Sequence, residues 1–132
     1  PAPAGAGRRR RSDMAEVIVL DDVSDAGVLI KRILERKGHS VTAYTEEQDA
    51  LNHVRDKSVD LAILDIKLKK MTGVEVLEEM KKIKSDIKVI MLTGYPTLET
   101  AKETQRLGAV DYCVKPIDKD ELEEKVAAAL ES

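Results

Sequence analysis

The sequence predicts a doubly wound α/β domain, a five-stranded parallel sheet with five helices on both faces. Three observations predict it. Short apolar runs recur five times, at EVIVL (16–20), SVTAY (40–44), VDLAIL (59–64), IKVIML (87–92) and VDYCV (110–114). The first is β-branched, and LAIL within the third shows no polar alternation, as in strands covered on both faces. Each run is followed by a segment with helical spacing or capping signals, and strict strand–helix alternation leads to parallel strands with right-handed crossovers.

The helices are justified in order. In SDAGVLIKRILERKG (24–38) Ser24 is the expected N-cap, Ala26, Leu29, Ile30 and Ile33 recur at helical spacing, and Gly38 is the stop signal. Thr45-Glu46-Glu47-Gln48 has capping-box form and opens a helix through Leu51 and Val54. GVEVLEEMKKIKS (73–85) places Val74, Leu77, Met80 and Ile83 on one stripe. TLETAKETQRLG (97–108) predicts a more polar fourth helix closed by Gly108. Asp118-Lys119-Asp120-Glu121 repeats the capping spacing and opens a last helix with Leu122, Val126 and Leu130 inward.

Composition narrows the function. A chain of 132 residues suits one domain with its own core. The aromatic residues are Tyr44, Tyr95 and Tyr112 alone, which argues against a base-stacking nucleic-acid platform. Cys113 is the single cysteine, so there is neither a disulfide framework nor a thiolate-rich metal site, and a reducing, cytoplasmic setting is expected. No apolar run approaches the length of a membrane span.

The first thirteen residues, PAPAGAGRRRRSD, stand apart, with Arg8 to Arg11 in a row and Met14 following like a natural start. A twin-arginine export signal needs an apolar segment, whereas SDMAEVIVLDD turns acidic. A nucleic-acid-binding arm is an option on charge alone. The reading adopted is an added or disordered tail over 1–13, with the domain at 14–132. Without the tail, Lys+Arg falls from 22 to 18 and Asp+Glu from 25 to 24, leaving a net charge of −6. So acidic a body is a poor DNA binder, and direct nucleic-acid binding is not expected.

In such a sheet, ligand chemistry gathers beyond the carboxyl ends of the strands. Strand one ends in Asp21-Asp22, strand three in Asp65, strand four in Thr93-Gly94 and strand five in Lys115-Pro116. Strand two ends at Tyr44 without evident chemistry, and His39 and His53 are expected at the surface. If strands one and three are neighbours, Asp21, Asp22 and Asp65 form a carboxylate cluster whose like charges raise one another's pKa. Mg²⁺ offsets such a cluster. Lys115 adds a compact positive charge and Thr93 a hydroxyl donor, a set able to position a phosphoryl group for in-line transfer to Asp65. Each residue alone has an ordinary structural explanation; the combination at strand ends carries the signal.

With the motifs VLDD, LAILDIKL…TG, VIMLTG and DYCVKP in place, the sequence closely resembles the receiver domain of two-component response regulators over residues 15–131. The resemblance implies a flavodoxin-like strand order of 2-1-3-4-5. It implies that Asp65 accepts phosphate from a histidine kinase or phosphotransfer protein, and that Asp22 ligates Mg²⁺ directly, Asp21 through water and Lys67 by its backbone carbonyl. Lys115 would pair with the phosphoryl group, Thr93 would move to bond it, and Tyr112 would turn inward in response. Lys115-Pro116 would be a cis peptide. Phosphorylation would switch the surface of helix four, strand five and helix five, read by an output domain, a downstream protein or a second copy in a homodimer, with no membrane partner. The domain would be a signalling phosphoacceptor that catalyses its own phosphorylation and dephosphorylation, rather than an enzyme acting on an external substrate.

One departure is Lys69, where the family usually has proline; it makes KLKK (67–70) a basic loop beside the site. Lys67 and Tyr95, two residues past Asp65 and Thr93, are expected to shape water access to the phosphoryl group. Flavin binding is disfavoured because DDVSD offers carboxylates where a phosphate would sit. A haloacid-dehalogenase-type phosphatase needs a second Asp where Lys67 stands. The remaining alternative is a degenerate receiver acting as a phosphorylation-independent interaction module.

Overall fold

The structure, a computed structural model, describes residues 14–68 and 70–131. The expectations for the tail and for Lys69 fall outside the described residues. In chain order the elements are β1 (Glu16–Leu20), α1 (Ser24–Glu35), β2 (Ser40–Tyr44), α2 (Glu47–Asp56), β3 (Leu61–Asp65), α3 (Gly73–Ile83), β4 (Lys88–Thr93), α4 (Leu98–Arg106), β5 (Asp111–Val114) and α5 (Lys119–Glu131). The strands form one sheet in the order β2-β1-β3-β4-β5, parallel throughout. Fold class and strand order are those expected.

Successive strand residues point to opposite faces, and here both faces are apolar. Val17, Val19, Ile63 and Leu92 face one core with Ile30 and Leu34 of α1 and Leu122, Val126 and Leu130 of α5. Ile18, Leu20, Leu64, Val89 and Met91 face the other, with Leu51 and Val54 of α2 and Val76, Leu77 and Met80 of α3. Each fully buried aliphatic side chain contributes roughly 1.5–3 kcal/mol, so this sandwich holds the strand ends in a fixed register. Helix α4 is different: Thr104 is its single buried residue, while Leu98 is 71% exposed.

Several local expectations are corrected. Ser24 is not a cap; α1 begins at Ser24, with Val23 at the N-cap position and no side-chain cap bond. The Asp21 carboxylate instead accepts the Val23 N–H. Leu29 faces outward, while Gly27 and Leu34 complete the buried stripe of Ile30 and Ile33. Thr45 does not open a capping box, because α2 starts two residues further on, with Glu46 at the N-cap and no side-chain cap bond. Gln48 bonds Asn52 instead. The reciprocal capping box lies at Thr72 and Glu75, ahead of α3. Val74 and Ile83 are only half-buried, and Gly73 and Val76 complete that stripe.

The histidines also depart from expectation. His39 is buried, and its Nδ1 accepts the N–H of Ala15. Burial lowers its pKa, favouring the neutral ring that this bond requires. His53 is half-buried and bonds the Tyr44 hydroxyl at 2.7 Å.

Candidate acidic site at the carboxyl edge of the sheet

The register brings the expected residues together. Leu20 pairs with Leu64, so the next residues, Asp21 and Asp65, stand side by side. Asp65 pairs with Leu92, which places Thr93 one step beyond, and Thr93 pairs with Val114, which precedes Lys115. The Lys115 N–H donates to the Thr93 carbonyl at 2.7 Å, and Lys115-Pro116 is cis.

Gly73 makes the approach of α3 feasible. A Cβ at that position would lie 2.2 Å from the Asp65 carbonyl oxygen and 2.7 Å from the Ile66 Cα. The Gly73 N–H donates to the Ile66 carbonyl at 2.7 Å. The start of α3 is thus pressed against the backbone of Asp65, which only glycine permits.

The side chains form a charged cluster set into the core. Asp21, Asp65 and Thr93 are buried, and Asp22 is half-buried beside them. Carboxylate oxygens of Asp21, Asp22 and Asp65 all lie within 4.8 Å of one another. The Lys115 ammonium bridges Asp21 Oδ2 at 2.7 Å and Asp65 Oδ2 at 3.3 Å. The remaining Asp21 oxygen takes the Val23 N–H at 2.9 Å, and Asp65 Oδ1 takes the Lys67 N–H at 3.3 Å. Thr93 Oγ1 accepts the Tyr95 N–H at 2.9 Å.

Burial and then the neighbouring Asp21 charge push the Asp65 carboxyl above its usual range, against the opposing pull of Lys115. Burial also opposes the Lys115 charge, but its bond to Asp21 and the two carboxylate charges outweigh it and raise the lysine's pKa. The result is a buried carboxyl of raised pKa held beside an ammonium whose charge its two carboxylate partners favour.

Lys67 and Tyr95 meet in space as well. The Lys67 ammonium sits 4.1 Å from the Tyr95 ring centroid. Tyr112 lies partly exposed on β5, with the Lys125 ammonium 5.6 Å from its ring centroid.

One buried polar residue near the site was not singled out in the sequence. Glu47 is buried at the start of α2, and its Oε2 accepts the N–H groups of Lys70 and Met71 at 2.7 and 3.0 Å. Its sequence signal was misleading, since a glutamate after Thr45-Glu46 reads as helix-capping composition.

Strand order and site together define a class: doubly wound parallel domains with an acidic pocket at the carboxyl edge. The family model for the response regulator receiver domain matches residues 17–127. The transcriptional regulatory protein ZraR of Salmonella typhimurium is 33% identical over 115 residues, covering 87% of this chain and 26% of that protein. Sporulation initiation phosphotransferase F of Bacillus subtilis is 32% identical over 111 residues, covering 84% of this chain and 90% of that protein. A CheY-like response regulator receiver domain protein from Methanospirillum hungatei JF-1 superposes with a TM-score of 0.85 at 32% identity, covering 89% of this chain and 94% of that one. The chain belongs to the receiver domain family of two-component response regulators, which are phosphoacceptor signalling domains. It spans about a quarter of the length of the ZraR proteins it matches. Among the described residues, no helix is long and apolar enough to cross a membrane.

Proposed function

We propose that Asp65 is the phosphoacceptor, that it takes its phosphoryl group from a histidine kinase or phosphotransfer protein with Mg²⁺ bound, and that Lys115 positions the transferred group. The observation that carries this reading is the Lys115 ammonium bridging Asp21 and Asp65 inside a cluster of three carboxylates. One ammonium against three carboxylates leaves surplus negative charge, and an all-oxygen donor set suits a hard divalent cation. Both Asp21 oxygens already accept hydrogen bonds, which favours contact with the ion through water. Asp22 and the Lys67 carbonyl would complete the protein's share of the donors. Bound Mg²⁺ would neutralise the clustered charge and polarise the phosphoryl oxygens.

In the transfer step an Asp65 carboxylate oxygen bonds to phosphorus as the donor's P–N bond breaks, and the departing imidazole nitrogen takes up a proton. Lys115, held by Asp21, moves its second contact from Asp65 Oδ2 to a phosphoryl oxygen. The Thr93 hydroxyl, which is one strand away from Asp65, turns to donate to the same group. Tyr112 then turns inward, biasing the surface of α4, β5 and α5 between two populations. The shallow packing of α4, with Thr104 as its one buried residue, supports a helix that moves at low cost. An output domain, a downstream protein or a second copy of the chain would read that surface, in the cytoplasm.

Incubation with Mg²⁺ and acetyl phosphate, followed by intact mass measurement, tests the reading. Wild-type protein is expected to gain one phosphoryl group and Asp65→Asn none. No gain by the wild type would overturn it and leave the interaction-module alternative, and equal gain by both would overturn it by placing the phosphoryl group on another residue.

A further inference from the structure

The loop from Ile66 to Thr72 carries the Lys67 backbone past Asp65, yet its sequence, IKLKKMT, contains neither proline nor glycine to fix its path. Its two ends are anchored by backbone bonds, from the Ile66 N–H to the Leu92 carbonyl (2.9 Å) and from the Gly73 N–H to the Ile66 carbonyl (2.7 Å). The Lys67 N–H has only a long bond, 3.3 Å, to Asp65 Oδ1. The far half is gripped from another element: Glu47, 3% exposed at the start of α2, receives the Lys70 N–H at 2.7 Å and the Met71 N–H at 3.0 Å on one oxygen.

Glu47 is the first residue of α2 rather than its N-cap; one carboxylate oxygen is committed to the loop, and the second, Oε1, is buried without a hydrogen-bond partner. A buried carboxylate persists where charge-assisted hydrogen bonds offset its desolvation. Burial opposes the Glu47 charge, but the Met71 and Lys70 N–H groups outweigh it and hold its pKa below the usual value. A carboxylate so placed fixes two successive backbone amides, those of Lys70 and Met71, on the loop that follows Asp65.

We propose that Glu47 is a positioning residue for the phosphoacceptor site, tethering the β3–α3 loop so that the Lys67 carbonyl is presented to the cation beside Asp65. This rests on the reading of Asp65, Asp22 and Lys67 given above. Glu47 touches neither phosphoryl group nor cation; it acts through the loop. Outer groups that orient metal ligands commonly set affinity by 10–100-fold, and a tether to a backbone ligand belongs at the low end.

The test uses Glu47→Ala and Glu47→Gln, with Mg²⁺ alone as the probe. Amide hydrogen exchange is read in metal-free protein and Mg²⁺ affinity by calorimetry. Glu47→Ala is expected to speed exchange at Lys67, Lys70 and Met71 relative to Ile63 and Leu64, and to weaken Mg²⁺ binding by about 10-fold. Glu47→Gln keeps an oxygen acceptor of the same reach and should recover most of both. If Glu47→Ala does not fold, Glu47→Asp, one methylene short of the loop, is expected to shift both readouts in the same direction. Unchanged Mg²⁺ affinity with faster exchange confined to Lys70 and Met71 would make Glu47 merely structural and overturn the proposal. Wild-type protein that binds no Mg²⁺ would overturn the parent reading as well, so the two failures are distinguishable.

Discussion

The Lys115 ammonium stands closer to Asp21, at 2.7 Å, than to Asp65, at 3.3 Å. Asp21 is fully buried and also accepts the Val23 N–H, so it is the fixed partner, and Asp65 is the partner that Lys115 can relinquish. On the function proposed above, the lysine would stay anchored to Asp21 when Asp65 is phosphorylated. Replacing it separates two effects. Lys115→Met leaves Asp21 as a buried carboxylate without its ammonium, and stability should fall by about 1–3 kcal/mol. It should also slow phosphorylation at saturating Mg²⁺. Urea unfolding and phosphorylation kinetics on the same preparation check both effects.

Asp65 itself should be a stability liability. Burial and the Asp21 charge raise its folded-state pKa above the unfolded value. The folded protein therefore holds that proton more tightly, and this contribution is fully present below the unfolded pKa and lost as pH rises through the folded one. Above its folded-state pKa the carboxylate is ionised at the fold's expense. Asp65→Asn should raise Tm at pH 7 in metal-free buffer by a few degrees, on the order of 1 kcal/mol. Its advantage should shrink as pH falls through the carboxylate range. Scanning calorimetry at a series of pH values checks the sign.

Gly73 faces the Asp65 backbone with no room for a methyl group. A Cβ 2.2 Å from a carbonyl oxygen can be accommodated only by moving α3 or Asp65, because the obstacle is backbone rather than a flexible side chain. Gly73→Ala should cost roughly 3 kcal/mol or more and impair phosphorylation of whatever fraction folds. Denaturant titration gives the first quantity and intact mass the second.

Lys67 and Tyr95 close over one another, ammonium to ring at 4.1 Å, two residues beyond Asp65 and Thr93. A cation–π contact of this kind contributes about 0.5–1 kcal/mol. If it restricts water at the phosphoryl group, Lys67→Ala and Tyr95→Ala should each shorten the phosphoryl lifetime by roughly 2–5-fold. The double variant should be little worse than either single one, the mark of a shared contact. Dephosphorylation rates of all four proteins check this, and unchanged rates would contradict it.

The site was legible in the sequence because each strand announces its end. LAIL passes directly into Asp65, VIML into Thr93, DYCV into Lys115, and parallel pairing then aligns those ends without further information. The starts of α1 and α2 were not, because capping depends on which acceptor reaches the N–H groups first. Asp21 takes the Val23 N–H, and no side-chain bond forms at the expected Ser24 cap. Glu47 and His39 were missed for a related reason. Their partners are Lys70, Met71 and Ala15, some 23–24 residues away along the chain. Local composition registers the polarity of such residues but not the backbone that tertiary folding brings to them.

Locating the acyl phosphate decides whether Asp65 carries the phosphoryl group. Protein treated with Mg²⁺ and acetyl phosphate is reduced with borohydride, which converts an aspartyl phosphate to homoserine, and then digested and sequenced by mass spectrometry. Homoserine is expected at position 65 alone. Homoserine at Asp21 or Asp22, or an unmodified position 65 in a protein shown to be folded, would contradict it.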